Sequence, residues 1–229
     1  MGNPAGNDAL ACELVAGELA QLIGLKVPDF AVVNLDLNIS MDGLGSMTCG
    51  PAFVSRALTG STGDDADTFL KKLARPSDIA RLVLFDTWIR NADRWPPDEG
   101  LQPYANYDNL FFSPKGRKFD LIVLDHSHCF VGGELDDEIM DPDICTDQRI
   151  YGLFPCFVPY IDEASVVAAA EAIRAIDRPT VQSVIDSIPN QWGPLMRTKD
   201  AWVDVILTRA ALVYDTAPEK LLQQGRLGL

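Results

Sequence analysis

Apolar residues near the start of the chain recur at helical spacing. Leu10, Leu14, Leu19, Leu22 and Ile23 fall on one side between the capping residues Asn7 and Asp8 and a closing Gly24, which predicts a helix with Glu13 inside it. Val27 and Pro28 lead into FAVVNLDL at 30–37, a β-branched run that predicts a strand. Residues 40–66 are rich in Gly, Ser and Thr and are broken by one apolar piece, PAFV at 51–54; they read as a linker or hinge. A second helix is predicted to start near Ser77 and Asp78 and to carry Ile79, Leu82, Val83, Phe85, Trp88 and Ile89 as far as Asn91. An irregular stretch, 92–108, contains Pro96, Pro97, Gly100 and Pro103. Apolar runs at 109–112 and 119–124 then flank SPKGR, the pattern of a β-hairpin. Past Gly133 the pattern is helical, over 162–176, 179–187 and 198–214.

This order predicts an α+β protein in two lobes, and 229 residues suffice for one sizeable core or for a small lobe on a larger one. Hydrophobic residues make up 47%, yet no apolar run is long enough to span a membrane. MGNPAGNDAL lacks a basic start, an apolar secretory core and the Ser or Thr of a myristoylation site, so a cytoplasmic protein is expected. The net charge of -14 argues against nucleic acid and anionic membranes as partners. Five widely spaced cysteines without a C-x-x-C pair predict reduced thiols, several of them buried, rather than a disulfide framework or zinc knuckle.

The candidate chemistry lies in LIVLDHSHCF at 121–130, which holds both histidines of the chain, His126 and His128, beside Asp125 and Cys129. In an extended chain Asp125, Ser127 and Cys129 would share one face and the histidines the other, and no distant histidine could complete a zinc site. Asp125 is therefore expected to be the functional member, with His126 as its packing and hydrogen-bonding neighbour. Asp93 and Arg94 follow a helix end, Asn109 opens the hairpin and Asp125 closes it, so the hairpin brings the last two together. An Asp that orients a hydroxyl, followed by an Asn and a second Asp that offer oxygen ligands to Mg²⁺, is what phosphoryl transfer requires. Each residue alone also has a plain structural reading. Asp93 and Arg94 could be a helix-end ion pair, Asn109 a turn residue, Asp125 a loop cap, Glu13 a solvent-facing side chain and Trp95 a surface hydrophobe or partner contact.

Taken together, FDTWIRNADR, YDNLFF and LIVLDHSHCF resemble the HipA-like kinase family, as does the N-terminal stretch over 2–37. The resemblance covers 2–37 and 79–131, with 51–55 as a hinge and the C-terminal helices by class only. It implies a two-lobed, protein-kinase-like fold. Residues 1–60 would form a truncated N-terminal lobe and hinge, and 61–229 a mainly helical lobe carrying the catalytic loop and metal hairpin. It further implies Mg-ATP-dependent phosphorylation, preferentially of a protein Ser or Thr. Asp93 would be catalytic, Arg94 a neighbouring structural or phosphate-facing cation, and Asn109 and Asp125 the Mg²⁺ ligands. Glu13 would pair with an ATP-binding lysine, and Phe53 and Ser55 would lie near the adenine. An antitoxin-like protein partner is the family expectation for such toxin-like kinases.

Two features depart from that pattern. The lysine strand should precede the N-terminal segment, but the first lysine is Lys26. The expected explanations are a misplaced start, a second chain supplying the missing strands, or a degenerate pseudokinase. Asp93 and Asn109 also lie 109 − 93 = 16 positions apart, which marks 95–108 as an insertion. A non-catalytic interaction module, or a kinase acting on a lipid or small molecule, are the alternatives the sequence leaves open.

Overall fold

The computed structural model describes residues 6–41, 45–47, 49–63, 66–97, 106–132 and 134–227. The helices are α1 (Gly6–Leu22), α2 (Ala66–Leu70), α3 (Asp78–Ile89), α4 (Leu135–Glu138), α5 (Pro142–Thr146), α6 (Glu163–Arg174), α7 (Arg178–Asp186) and α8 (Met196–Leu227). The strands are β1 (Phe30–Leu35), β2 (Ile39–Met41), β3 (Gly45–Met47), β4 (Gly50–Ser55), β5 (Ser61–Thr62), β6 (Leu110–Lys115) and β7 (Lys118–Val123). They form three small antiparallel sheets among the described residues, ordered β1-β4, β2-β3 and β5-β6-β7. No helix among them is long and apolar enough to cross a membrane.

Within 40–66, which composition reads as a linker or hinge, the described residues include the strands β3, β4 and β5. PAFV lies in β4, pairs with β1 from Phe30↔Ser55 to Leu35↔Gly50, and brings Phe53 to 5.4 Å from Phe30 in a ring stack. Glycine and serine mislead here because a short strand needs only a partner and one buried face, which Ala52 supplies. The helix over 198–214 falls short: α8 continues to Leu227, since Ala217 and Leu221 prolong its buried stripe past the predicted end. Ser77 makes no side-chain cap; Asp78 is instead held by Arg75 and Arg81. Asn7 and Asp8 lie within α1, where Asp8 accepts the Leu135 N–H at 2.9 Å.

The predicted hairpin forms, with register Leu110↔Val123 to Lys115↔Lys118 and Gly116 at φ +61 supplying the conformation that a two-residue turn demands. The apolar helix α3 is buried all round, packed on α6 and α8. It stops because Arg90 adopts a left-handed conformation (φ 55, ψ 48) and turns the chain into 91–94.

Candidate active site

Two charges buried inside apolar helices organise the site. Asp86 interrupts LVLFDTWI on α3, and its carboxylate accepts from Arg94 Nε at 2.8 Å, both side chains being wholly buried. The remaining Arg94 nitrogens reach the carbonyl of Asn109 and, at 3.3 Å, that of Leu124. One guanidinium thus ties together the catalytic-loop candidate, the start of β6 and the residue before Asp125. Burial pushes the Asp86 carboxyl above its ordinary value, and the charge of Arg94 only partly offsets this. Arg209, on α8, is the second buried charge. It donates to the carbonyls of Thr87, Trp88 (2.6 Å), Ile144 (2.6 Å) and Asp147 (3.1 Å), closing the C-terminal end of α3, where cations are favoured. Burial lowers Arg209 to about 10.

Asp93 is half-buried and accepts, on Oδ2, from Asn109 Nδ2 at 2.9 Å and Asn106 Nδ2 at 3.1 Å. The 16-position separation in sequence is therefore closed in space. The Asn106 N–H reaches the Arg94 carbonyl at 3.1 Å, and a 3-10 turn, Tyr107–Asn109, carries both amides to the same carboxylate. The central part of the insertion read over 95–108, residues 98–105, lies outside the described residues. Trp95 is not a free surface hydrophobe: its ring is 5.2 Å from Phe154 and its carbonyl accepts the Gly152 N–H.

Asp125 does not follow the expected face alternation. β7 ends at Val123, and Asp125 turns into the left-handed region at φ 58, so the even–odd rule of a strand no longer applies. Asp125 is exposed and accepts from the Ser127 hydroxyl at 2.8 Å, His126 is buried, and His128 faces outward. Among the described residues no three His, Cys, Asp or Glu side chains gather around a common point.

Asp125 stands on the rim of a cleft of about 520 Å³, whose lining includes Glu13, Phe30, Phe53, Ser55 and Phe111. A largely apolar pocket of this size with a few polar groups suits a small-molecule ligand. Glu13 is not free. Its carboxylate accepts the backbone N–H of His126 and lies 3.6 Å from His126 Nδ1. Burial pushes Glu13 up, but its contacts with His126 outweigh it and hold the carboxyl below its ordinary value. The described residues lining the cleft include no lysine; Arg56 is there, paired with Asp29 at 2.7 Å. Seven expected site residues thus fall into two groups: Glu13, Phe53, Ser55 and Asp125 line the cleft, and Asp93, Arg94 and Asn109 form a hydrogen-bonded set joined to the cleft-lining Leu124 through Arg94. Arg94 does not face outward toward a phosphate; it points inward to Asp86.

The donor set suits Mg²⁺. Asp125 offers an exposed carboxylate, and Asn109 uses its NH₂ on Asp93, which leaves the amide oxygen for a cation; such oxygens, completed by phosphate and water, are what Mg²⁺ takes. The aromatic cleft beside them suits a nucleobase. Sequence reasoning missed Asp86, Asn106 and Arg209. The signals were there: a lone charge inside LVLFDTWI and inside VILTRAALV, and two asparagines three apart.

Gly152 supports the same frame. At φ +70 its missing Cβ would lie 2.8 Å from Asp86 Cβ. Gly152→Ala is expected to destabilise the protein by about 2–4 kcal/mol through backbone strain and overpacking, read as a lower midpoint in urea unfolding.

A model of the HipA-like kinase family matches residues 1–215. Among solved structures, the proinflammatory kinase CtkA of Helicobacter pylori superposes with a TM-score of 0.54 at 13% identity, covering 96% of this chain and 89% of that one. HipA from the Shewanella oneidensis MR-1 toxin–antitoxin complex with HipB and operator DNA aligns at 14% identity with a TM-score of 0.44, over 93% of this chain and 57% of that one. No curated protein sequence matches significantly.

Proposed function

Because this chain belongs to the HipA-like kinase family, we propose that it transfers the γ-phosphoryl group of Mg-ATP to a Ser or Thr hydroxyl of a protein. In this reading residues 1–60 form the nucleotide-side lobe with its hinge, and 61–229 the catalytic lobe. The change of partner supports that division: β4 pairs with β1, while β5 pairs with β6. Bound Mg²⁺ would neutralise phosphate charge, held by Asp125 and the Asn109 amide oxygen. Phe30, Phe53 and Phe111 would flank the base, with Ser55 at the edge of the cleft. Asp93 orients the incoming hydroxyl and accepts its proton. Its Oδ2 is engaged by two amides, which leaves Oδ1 for that hydrogen bond. The hydroxyl oxygen bonds to the γ-phosphorus as the bond to the β–γ bridging oxygen breaks, and ADP departs. A protein substrate, and an antitoxin-like protein partner, are part of the same reading.

The observation that carries it is the Arg94 guanidinium, which reaches the carbonyls of both Asn109 and Leu124 while Asp93 accepts from Asn109. In thermal unfolding, Mg-ATP at a hundredfold excess over its dissociation constant is expected to add about 2.7 kcal/mol of apparent stability. That shift should vanish without Mg²⁺ and in Asp125→Asn. A shift of equal size in the variant would overturn the metal assignment.

The cleft also supports a second reading. With no lysine among its described lining residues and with Glu13 committed to His126, the chain would be a pseudokinase that binds nucleotide and a partner without transferring phosphate. Release of ADP from Mg-ATP, measured with a Ser- and Thr-rich protein such as casein as phosphoryl acceptor, separates the two: the kinase reading requires turnover that depends on Asp93, and the pseudokinase reading requires none.

A further inference from the structure

Asp147 lies beyond the metal loop, outside the cleft, and none of the chemistry above uses it. Its carboxylate is nearly buried, 5% exposed, and it accepts from an unusual number of donors. Arg90 Nε (3.0 Å), Arg149 Nη2 (2.8 Å) and the Tyr151 hydroxyl (2.6 Å) converge on Oδ2. Arg149 Nε (2.9 Å) and the Arg149 backbone N–H (3.0 Å) converge on Oδ1. Two guanidiniums and a phenol around one anion are the chemistry with which proteins grip a phosphate on a regulatory loop. Here the chain's own carboxylate supplies the anion.

What Asp147 grips explains why it matters. Arg90 is the left-handed residue that ends α3, three positions before Asp93. The same side chain donates to the Phe130 carbonyl at 2.8 Å, and the Phe130 N–H reaches Ile89 at 2.6 Å. Farther along, the Tyr151 N–H meets Thr87 Oγ1 at 3.1 Å and the Gly152 N–H meets the Trp95 carbonyl at 3.1 Å. The described part of the segment after the metal loop is thus fastened at both ends to the turn that presents Asp93, with Arg90 and Asp147 as the cross-tie. We infer that Asp147 is a built-in anionic anchor: through Arg90 it positions the turn bearing Asp93 and keeps the segment 131–152 docked without phosphorylation. The anchoring stands on the contacts themselves; the positioning of a catalytic group rests on the kinase reading.

The test compares wild type with Asp147→Asn, Arg90→Met and the milder Arg149→Met, whose side chain is nearly half exposed. Two readouts are taken: amide exchange over 131–152, with α7 as an internal control, and ADP release from Mg-ATP with the same protein acceptor. Asp147→Asn is expected to speed exchange in 131–152 about tenfold or more with α7 unchanged. It should also slow turnover at saturating Mg-ATP about tenfold, with KM for ATP held within about threefold. The Asp147→Asn/Arg90→Met double variant should add less than about twofold to either single loss, since both remove one tie. Arg149→Met should show the same pattern in weaker form. Exchange that is unchanged in all variants overturns the anchor. Faster exchange with unchanged turnover, or a rise in KM that matches the fall in rate, overturns the positioning role. If wild type releases no ADP, the kinase reading falls and takes the positioning role with it, while the exchange data still decide the anchor.

Discussion

Replacing Arg94 with methionine is expected to lower the free energy of unfolding by about 3–5 kcal/mol, the usual cost of leaving the partner of a buried ion pair alone. Asp86 would then sit fully buried facing Asn91 Nδ2 at 3.2 Å as its remaining side-chain donor. The pair is not there for stability. Burial raises the folded-state pKa of Asp86 even with Arg94 in place, so its contribution is fully present below the ordinary carboxyl value and is lost as pH rises through the folded one. The charged form of this carboxyl is therefore a cost, and what offsets it is geometry: the same guanidinium spans the carbonyls of Asn109 and Leu124. It follows that Asp86→Asn/Arg94→Met should recover most of the stability lost by Arg94→Met, because no buried charge is left unpaired, while ADP release stays at background. Urea unfolding beside a turnover assay checks this. A single variant as stable as wild type, or a double variant with full turnover, would refute it.

Asp93→Asn should leave the fold intact and reduce phosphoryl transfer by about 10²–10⁴-fold, the range lost when a general base is removed. The substitution keeps shape but turns an acceptor into an amide. Its new NH₂ would confront the NH₂ groups of Asn106 and Asn109 unless the side chain flips, which costs on the order of 1 kcal/mol. Because Asp93 does not line the cleft proposed to hold the nucleotide, the Mg-ATP-dependent thermal shift should survive in this variant, in contrast to Asp125→Asn. Loss of turnover with retained nucleotide binding is the expected signature. Unchanged turnover would remove Asp93 from the chemistry, and loss of both would make it a structural residue.

Sequence alone was enough for the helices whose apolar stripes repeat over several turns, α1, α3, α6 and α7, and for the hairpin β6–β7, because burial imposes a period that composition displays directly. It was also enough for the family, since the Asp-Arg, Asn and Asp motifs stand in order on those elements. Strands β4 and β5 were hidden, because a short strand depends on a partner far along the chain and GPAFVS carries little intrinsic signal.

The roles of the charged residues were decided only in three dimensions. Arg94 reads as a helix-end ion-pair partner of Asp93 or as a structural or phosphate-facing cation until Asp86 is seen 2.8 Å from it. Glu13 reads either as solvent-facing or as the partner of a lysine until the loop after β7 brings the His126 N–H to its carboxylate. Asp125 obeys a strand's alternation on paper and breaks it at φ 58. The division has a physical cause. Hydrophobic burial is non-directional and summed over many residues, so it leaves a statistical trace along the chain, whereas a buried charge is satisfied by a few donors at fixed distances that only the folded backbone can bring together.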